Sequence, residues 1–446
     1  MIGVIGLRRE DKDIAERRAP LNPAQIYKLI QEHNFIVRVQ PAQNRVFTDK
    51  EYQDAGAVVS DDLRQCNLIL GAKEIPIDRF LPNKAYCFFS HTIKGQRYNM
   101  PMLKRILDLK ITLIDYEKVS DENNRRLIYF GRFAGCAGMI RSLWAFGQRL
   151  DWEGIENPFV KIKRAYQYHS LDEAKQAIKA IGQEILHNGL PKEITPLICG
   201  FTGYGNVSMG AQEIYDLLPC EEIRPGSLQR LFLHGDFSNK CLYKVVFKEE
   251  DIFQPRDSEQ SFQLLDYYQH PENYKSIFEN YIPFLSILIN AIYWSENYPR
   301  LVTKNYLKEL FHRNEQPNLR VIGDISCDVN GSIECTMETT TFEKPVYVYD
   351  PKTEKITYGI EGKGPVILAL DRLPNEFAKE ATEAFGDALM PFIPELGVSD
   401  FRASFPDLIL PQEFKKAVIV HKGDFTPAYQ YLRPIINEMT INKNLP

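Results

Sequence analysis

Short apolar runs alternate with amphipathic stretches over the first 115 residues of the chain. The runs at residues 2–7, 35–39 and 68–70 have the length and composition of buried strands. Asn22 before Pro23 is a start signal for one of the intervening helices, because an asparagine caps the helix and a proline at its first turn loses no hydrogen bond. Strands that alternate with helices predict a parallel sheet with helices on both faces.

A second cycle of strands and helices begins near residue 170. Ser170 and Glu173 predict a helix start, and Gly189 predicts the end of that helix. An apolar strand follows at 196–201, and a helix is predicted at 210–218. Further strands are predicted at 286–293 and 320–325, which gives the second half of the chain its own sheet.

We therefore predict an α/β protein with two doubly wound, Rossmann-like parallel-sheet domains. The first domain, the substrate domain, covers residues 1–135 and is completed by the C-terminal segment 336–446. The second, a dinucleotide-binding domain, covers 136–335, with an insertion at about 224–283 where the sequence is polar and aromatic.

Composition and charge mainly exclude classes of protein. The chain is 44% hydrophobic and 25% charged with a formal net charge of −5, which is ordinary for a globular protein and gives no reason to expect a nucleic acid or membrane partner. No apolar stretch is long enough to span a bilayer, and no secretory signal is evident. The eight cysteines include no CxxC pair, so we predict reduced thiols and no metal site.

A glycine turn joins the strand at 196–201 to the helix that follows it. Gly203 and Gly205 supply the turn that lets a pyrophosphate approach a helix N-terminus, and we expect Gly210 to let the helix close on its strand. The spacing is GxGxxxxG rather than GxGxxG, and an ordinary tight loop has a similar composition. The ribose-binding acid is expected near Glu222, whereas Arg224 would hold a 2′-phosphate, so the sequence leaves NADP against NAD open.

Two proton carriers follow strands of the first domain. Lys73 comes after the strand at 68–70, and His91 comes after the strand predicted at 87–90. Ligands of open parallel sheets gather at the carboxyl ends of the strands, where a lysine and a histidine can together transfer protons. Taken singly, each residue also fits a surface lysine or a loop histidine.

Taken in order, several motifs resemble those of a known family. The motifs are ERRAPL at 16–21, LILGAKE at 68–74, FFSHTIKGQ at 88–96, DYEK at 115–118, FGRFAGCAGM at 130–139, GFTGYGNVSMGAQ at 200–212 and DISCD at 324–328. With these motifs the sequence resembles lysine-forming saccharopine dehydrogenase, also called lysine–2-oxoglutarate reductase, and most of all the reductase half of the bifunctional aminoadipic semialdehyde synthases. More distantly it is similar to alanine dehydrogenase and transhydrogenase.

The resemblance implies two doubly wound domains with a cleft between them, and it implies roles for particular residues. The acid–base residues would be Lys73 and His91, with the carboxylate of Glu117 close to them. The residues that would bind substrate are Arg18, Lys94, Gln96, Arg126 and Phe130. The residues that would bind the dinucleotide are Gly203, Tyr204, Gly205, Asn206, Val207, Glu222, Arg224, Asn290, Ala291 and Asp324.

The resemblance also implies a reaction. Lysine condenses with 2-oxoglutarate, and NADPH, or NADH in its place, reduces the imine to saccharopine in lysine catabolism. The protein would then be an NAD(P)-dependent oxidoreductase acting on CH–NH donors. An alanine-dehydrogenase-like enzyme with another substrate pair and a non-catalytic nucleotide-binding protein are the alternatives. Because the reductase pattern stops near the end of the chain and no transit segment is evident, we expect a separate saccharopine-splitting dehydrogenase and a cytoplasmic location.

Overall fold

Eighteen strands and fourteen α-helices form within the residues that the computed structural model describes, which are 2–13, 15–313 and 317–442. In chain order the strands are β1 (Val4–Leu7), β2 (Ile36–Val39), β3 (Val58–Val59), β4 (Leu68–Leu70), β5 (Ala85–Phe88), β6 (Thr112–Asp115), β7 (Ile198–Thr202), β8 (Cys220–Glu222), β9 (Leu242–Phe247), β10 (Phe253–Pro255), β11 (Tyr274–Ser276), β12 (Ile287–Asn290), β13 (Val321–Asp324), β14 (Tyr347–Asp350), β15 (Lys355–Tyr358), β16 (Val366–Leu368), β17 (Val418–His421) and β18 (Asp424–Phe425). The helices are α1 (Pro23–His33), α2 (Asp49–Asp54), α3 (Met100–Asp108), α4 (Gly131–Trp152), α5 (Leu171–Asn188), α6 (Asn206–Tyr215), α7 (Leu228–His234), α8 (Glu249–Ile252), α9 (Leu264–Gln269), α10 (Lys304–Arg313), α11 (Ala378–Leu389), α12 (Ile393–Val398), α13 (Gln412–Lys415) and α14 (Arg433–Asn442).

The first unit comprises Met1–Phe130 and Ala378–Pro446 and contains one eight-stranded sheet. Its strand order is β18-β17-β6-β5-β4-β1-β2-β3, and the six strands from β6 to β3 are parallel. The chain runs outward from β1 through β2 to β3 and then returns to place β4 on the other side of β1. The reversal of winding between β1 and β4 is the topological switch point at which such sheets bind ligands.

The second unit, Gly131–Phe377, contains the other eight-stranded sheet, with the order β15-β14-β16-β13-β12-β7-β9-β8. Its parallel strands run from β16 to β8, and β14 and β15 add an antiparallel edge. The switch point lies between β7 and β12. Both sheets therefore confirm the predicted pair of doubly wound α/β domains, with antiparallel strands added at the edges.

The division of the chain differs from the expected one at two boundaries. The first unit ends at residue 130 rather than 135, because α4 begins at Gly131 and packs in the second unit. The returning segment begins at residue 378 rather than 336, because β16 pairs with β13 and carries β14 and β15 into the second sheet. The segment 224–283, expected to be an insertion, contributes the inner strand β9 as well as the small β10–β11 ribbon.

Helix starts follow the predicted caps with one difference. Reciprocal capping boxes start α1 and α2. At α5, the Ser170 hydroxyl accepts a hydrogen bond from the Glu173 N–H, but the Glu173 carboxylate accepts one from the N–H of His169 instead of Ser170. Gly189 ends α5 as predicted. Each cap satisfies N–H groups that the first turn of a helix leaves without a partner.

Glycines allow α4 and α6 to cross with backbone touching backbone. A Cβ atom on Gly210 of α6 would lie 2.0 Å from the carbonyl oxygen of Arg132, and one on Gly135 of α4 would lie 1.9 Å from the carbonyl oxygen of Val207. The expectation that Gly210 closes α6 onto its own strand was wrong, because its close neighbour is α4. The helix itself starts at Asn206 rather than at 210.

Within the part of the chain that the structure describes, no helix is both long and apolar enough to cross a membrane.

Candidate active site

The first unit places Lys73 and His91 at the same edge of its sheet. Lys73 lies three residues beyond the end of β4, and His91 lies three residues beyond the end of β5. Because β4 and β5 are parallel neighbours, both loops leave the sheet at its carboxyl edge. Since β4 also flanks the switch point with β1, these loops line the position where an open α/β sheet binds its ligand.

A buried glutamate from the neighbouring strand holds the loop that carries Lys73. Glu10 follows β1, and its carboxylate accepts hydrogen bonds from the N–H groups of Ala72 (2.7 Å) and Lys73 (2.9 Å). Burial raises the pKa of Glu10, although the charge of Arg8 and these two bonds oppose that rise. Sequence reasoning missed Glu10. The signal that could have found it is its position after β1, equivalent to that of Lys73 after β4.

A carboxylate orients His91. Its Nδ1 lies 2.9 Å from Oε1 of Glu74, and the same oxygen lies 3.0 Å from Nζ of Lys12. Burial alone would raise the pKa of Glu74, but the hydrogen bond and charge of His91, with the bond from Lys12, lower it to about 2. The contact with Glu74 uses Nδ1, so Nε2 is the ring nitrogen suited to exchange a proton with a ligand.

The lowered pKa of Glu74 predicts a pH-dependent contribution to stability. A carboxyl group whose pKa falls from 4.5 to about 2 on folding stabilises the protein above about pH 4.5 and loses that contribution as pH falls towards 2. We expect Glu74→Gln to lower the free energy of unfolding of the first unit by about 3 kcal/mol at neutral pH. In denaturant titrations from about pH 6 to pH 3, this difference should shrink.

An exposed glutamate on α1 provides the control. Glu32→Gln should leave the free energy of unfolding within about 0.5 kcal/mol of the wild-type value at each pH. A difference between wild type and Glu74→Gln that is the same at both ends of the pH range would contradict the account of the His91–Glu74 pair.

The loop of His91 also rests on a buried aspartate. Asp115 ends β6, and its carboxylate accepts hydrogen bonds from the N–H and the hydroxyl of Ser90 and from the N–H of Glu117. Burial raises its pKa to about 6 against the effect of these bonds. Asp115 therefore ties the loop after β5 to the loop after β6. Asp115 is the first residue of the DYEK motif at 115–118, but the sequence alone assigned it no role.

Arg18 and Phe130 lie in one cluster with His91. Nε and Nη2 of the buried Arg18 donate to the two carboxylate oxygens of Glu16, at 2.7 and 2.6 Å. The guanidinium carbon also lies 4.2 Å from the ring centroid of Phe130. The rings of Phe130 and Phe89 are 6.1 Å apart, and Phe89 stacks on His91 at 6.1 Å with 10° between their planes. The charge of Arg18 is thus already balanced by a carboxylate that sequence reasoning passed over.

Glu117, in the loop after β6, forms an ion pair with Arg126. Nη2 of Arg126 lies 3.0 Å from Oε1 of Glu117, and its Nε donates to the Glu117 carbonyl at 3.2 Å. Glu117 was expected close to Lys73 and His91, but the carboxylate that contacts the His91 ring is that of Glu74.

Two other expected substrate residues lie on the exposed stretch after His91. The side chains of Lys94 and Gln96 are both exposed, and Gln96 accepts a hydrogen bond of 3.0 Å from the hydroxyl of Tyr98. Arg18 thus contacts Phe130, and Phe89 links Phe130 to His91, while Lys73 lies in the neighbouring loop and Lys94 and Gln96 occupy exposed positions after His91.

In the second unit, the glycine turn leads into the N-terminus of α6, and its backbone conformation suits phosphate binding. Gly203 has a φ of 81°, which only glycine adopts without strain, and Gly205 is the residue that caps α6. Apart from its chain neighbours, no described residue has an atom within 4 Å of the position that a Cβ on Gly205 would occupy. Tyr204, Asn206 and Val207 complete the turn and the first turn of the helix. The open space beside unpaired helical N–H groups fits a dinucleotide pyrophosphate.

The residues on β12 and β13 that were expected to bind the dinucleotide form a buried hydrogen-bond network. Nδ2 of Asn290 lies 2.8 Å from Oδ1 of Asp324, and Oδ1 of Asn290 accepts from the hydroxyl of Thr202 at 2.7 Å. Thr336 donates to Oδ2 of Asp324 at 2.6 Å, and the N–H of Ala291 donates to Thr202 at 3.4 Å. Burial raises the pKa of Asp324 to about 6. The network ties together the ends of β7, β12 and β13, where the dinucleotide is expected.

The structure places Glu222 and Arg224 away from the glycine turn. Glu222 ends β8, which is the edge strand, and β9 separates it from β7. Its carboxylate lies 3.0 Å from Nζ of Lys244, and Arg224 is exposed in the connection that follows. The expectation assumed that the next strand in the sequence is the next strand in the sheet, which is not the case here.

Among the described residues, no group of three or more His, Cys, Asp and Glu side chains is arranged to hold a metal ion.

Known proteins share the fold of this chain. Its structure matches that of L-alanine dehydrogenase with a TM-score of 0.60 at 17% identity, over 97% of this chain and 99% of the other. Residues 6–137 match the family model described as "Alanine dehydrogenase/PNT, N-terminal domain". The chain therefore has the two-domain α/β fold of the alanine dehydrogenases.

Within that class, relatives at higher identity are known. The chain is 38% identical to "Alpha-aminoadipic semialdehyde synthase" of Arabidopsis thaliana over 96% of its own length and 41% of that protein. It is 26% identical to "Saccharopine dehydrogenase [NAD(+), L-lysine-forming]" of Emericella nidulans over 88% of this chain and 92% of the other. Mammalian synthases of the first name are described as mitochondrial.

These relatives confirm the resemblance drawn from the sequence motifs. The chain is a relative of the alpha-aminoadipic semialdehyde synthases and, more distantly, of the lysine-forming saccharopine dehydrogenases. It spans about half the length of the curated synthases that it matches.

Proposed function

We propose that this protein is a lysine–2-oxoglutarate reductase, an NAD(P)-dependent oxidoreductase of lysine catabolism. It would condense the ε-amine of L-lysine with the keto carbon of 2-oxoglutarate and reduce the resulting imine to saccharopine. The observation that carries the proposal is the placement of Lys73 and the Glu74-bound His91 at the carboxyl ends of adjacent strands β4 and β5. We also propose a cytoplasmic location.

The chemistry of imine formation needs the two proton carriers. The amine attacks the keto carbon and forms a carbinolamine, so one proton must leave nitrogen and one must reach the former keto oxygen. That oxygen then leaves as water after a further protonation, and the C=N bond forms. Lys73 and Nε2 of His91 are the groups proposed to deliver and remove these protons. Glu10 holds the loop of Lys73, and Glu74 and Asp115 hold His91.

Substrate binding needs positive charge, because saccharopine carries three carboxylates. Arg126 and Lys94 are the proposed exposed partners, and a planar guanidinium such as that of Arg126 can bind a carboxylate through two hydrogen bonds. Arg18 is buried and would support the site from the protein interior. Because Glu16 holds two of its nitrogens, we propose that Arg18 fixes Phe130 and contributes its remaining edge to substrate.

The second unit would hold the dinucleotide. The N-terminus of α6 and Gly205 provide the pyrophosphate position, and the ends of β12 and β13 flank it through Ala291 and Asp324. When bound, the reduced nicotinamide supplies the hydride that converts the imine to the secondary amine. The resemblance favours NADPH as the donor, and NADH is the other choice.

An assay with purified protein tests the proposal. Reduced nicotinamide should be consumed only when lysine and 2-oxoglutarate are both present, and omission of either should reduce the rate to background. Ornithine in place of lysine and pyruvate with ammonia are the matched substrate controls. No consumption with either NADH or NADPH would overturn the proposal, and consumption with pyruvate and ammonia alone would support the alanine-dehydrogenase-like alternative instead.

A further inference from the structure

The strand that lies beside the glycine turn is β9, not β8. In the second sheet, β9 pairs in parallel with β7 over its whole length, and the N–H of Gly203 donates to the carbonyl of Phe247 at 3.1 Å. In doubly wound dinucleotide-binding folds, the acid that holds the adenosine ribose comes from the end of the strand adjacent to the first one. Here that strand ends at Phe247, and the first acid after it is Glu249.

A cavity of about 270 Å³ opens between the glycine turn and Glu249. It lies wholly within the second unit, and Gly203, Tyr204 and Gly205 form one wall. Aromatic rings form most of the remainder, and they come from Phe247, Phe253, Tyr267, Tyr268, Tyr293 and Tyr298. Aromatic faces offer stacking partners to a planar base, so the shape and the lining suit an adenine ring.

Glu249 is fixed at the boundary between this cavity and the turn. Its Oε1 accepts a hydrogen bond of 2.7 Å from the hydroxyl of Tyr268, and its Oε2 accepts one of 3.1 Å from the hydroxyl of Tyr204. One partner belongs to the aromatic wall and the other to the phosphate-binding turn. The carboxylate thus lies between the position suited to the base and the position suited to the pyrophosphate, which is where the ribose must lie.

Charge around the cavity decides between the two nicotinamide dinucleotides. No lysine or arginine belongs to the described lining of the cavity, and the cations considered above for a 2′-phosphate lie elsewhere. Arg224 is exposed beyond β8, and the exposed Lys248 is not part of the lining. A carboxylate accepts hydrogen bonds from ribose hydroxyls but repels a phosphate, so a 2′-phosphate placed beside it weakens binding.

We propose that the aromatic cavity binds the adenosine of NAD(H) and that Glu249 selects NAD(H) over NADP(H). The identity of the ligand as a nicotinamide dinucleotide rests on the proposed function. The geometry of the cavity, the strand order and the position of Glu249 belong to this chain, and they reverse the preference for NADPH that the resemblance implies.

Direct binding measurements test this without turnover. Fluorescence titration of the wild-type protein should give an NADH dissociation constant at least about tenfold below that of NADPH. Competition with fragments isolates the adenosine end: 5′-AMP should displace NADH, and 2′,5′-ADP should not at equal concentration. NADPH that binds as tightly as NADH, or displacement by 2′,5′-ADP as effective as by 5′-AMP, would overturn the proposal.

Removing the charge of Glu249, and in a control that of the neighbouring Glu250, shows which residue sets the preference for NADH over NADPH. Glu249→Gln should reduce the NADH-over-NADPH preference by about tenfold, whereas Glu250→Gln, an exposed acid outside the lining, should leave it unchanged. An unchanged preference in a folded Glu249→Gln protein contradicts the role of Glu249, and if that variant does not fold, the fragment competition on the wild type still decides. These titrations omit lysine and 2-oxoglutarate, so selective NADH binding without saccharopine formation would refute only the proposed function.

Discussion

Replacing Lys73 by methionine is expected to lower kcat for saccharopine formation by about 10²- to 10⁴-fold, the usual contribution of a positioned acid or base. Methionine keeps the length and the apolar stem of lysine but cannot carry a proton. Because Lys73 is no part of the glycine turn and the start of α6, which are proposed to bind the pyrophosphate, the dissociation constant of the dinucleotide should stay within about twofold. Steady-state kinetics and dinucleotide titration on the same preparation measure both quantities.

Comparison with two other variants separates proton transfer from loss of structure. Lys118→Met removes an exposed lysine near the same edge of the sheet, and it should change kcat by less than about threefold. His91→Gln should also lower kcat, because glutamine cannot accept and donate a proton as a general acid or base does. The double variant Lys73→Met with His91→Gln should lose less than the product of the single effects if the two residues act as one unit. Full activity in either single variant would contradict the proposed roles.

Replacing Gly210 by alanine is expected to have the largest effect on stability. The added Cβ would lie 2.0 Å from the carbonyl oxygen of Arg132, which is a backbone atom of α4 and cannot rotate away. The two helices must therefore separate, and we expect a loss of about 3 kcal/mol or more from the second unit. Val207 lies at the crossing and in the first turn of α6, so the pyrophosphate position should move with the helix.

Dinucleotide binding and thermal unfolding together check this prediction. The dissociation constant of NADH should rise by more than about tenfold, and the melting temperature gained on adding NADH should shrink accordingly. Gly135→Ala, which approaches the same crossing from the other helix, should behave similarly. Gly226→Ala is the control, since among the described residues other than its chain neighbours no atom lies within 4 Å of its Cβ position, and it should stay within about 1 kcal/mol of wild type. A folded Gly210→Ala protein with normal NADH affinity would show that the crossing does not position α6.

Local patterns predicted much of the fold and part of the site. The cap of α1 and the order of strand, glycine turn and helix at 198–215 are set by residues close in sequence, and the structure has them. The positions of Lys73 and His91 after their strands also follow from local apolar runs. Parallel pairing then brings the two loops to one edge, as the topological rule for open sheets predicts.

The features that could not be predicted depend on contacts between residues far apart in sequence. The strand β9 lies in the segment that was expected to be an insertion, so its pairing with β7 was not foreseen, and the ribose acid was expected at Glu222 rather than at Glu249, where we now propose it. The helix that packs against Gly210 could not be predicted either, because a glycine within a helix carries no information about which helix it contacts. The place of β14 to β16 in the second sheet is set by pairing with β13.

Transfer of an isotope from the dinucleotide identifies the product of the reaction and the carbon that receives the hydride. Reduced nicotinamide carrying deuterium at the transferred position of C4 would be incubated with the protein, lysine and 2-oxoglutarate, and the product analysed by mass spectrometry and NMR. We expect saccharopine with one deuterium on the carbon that was the keto carbon of 2-oxoglutarate, formed at least about 10²-fold more slowly by Lys73→Met. Oxidised nicotinamide without saccharopine, or saccharopine without deuterium at that carbon, would contradict this expectation.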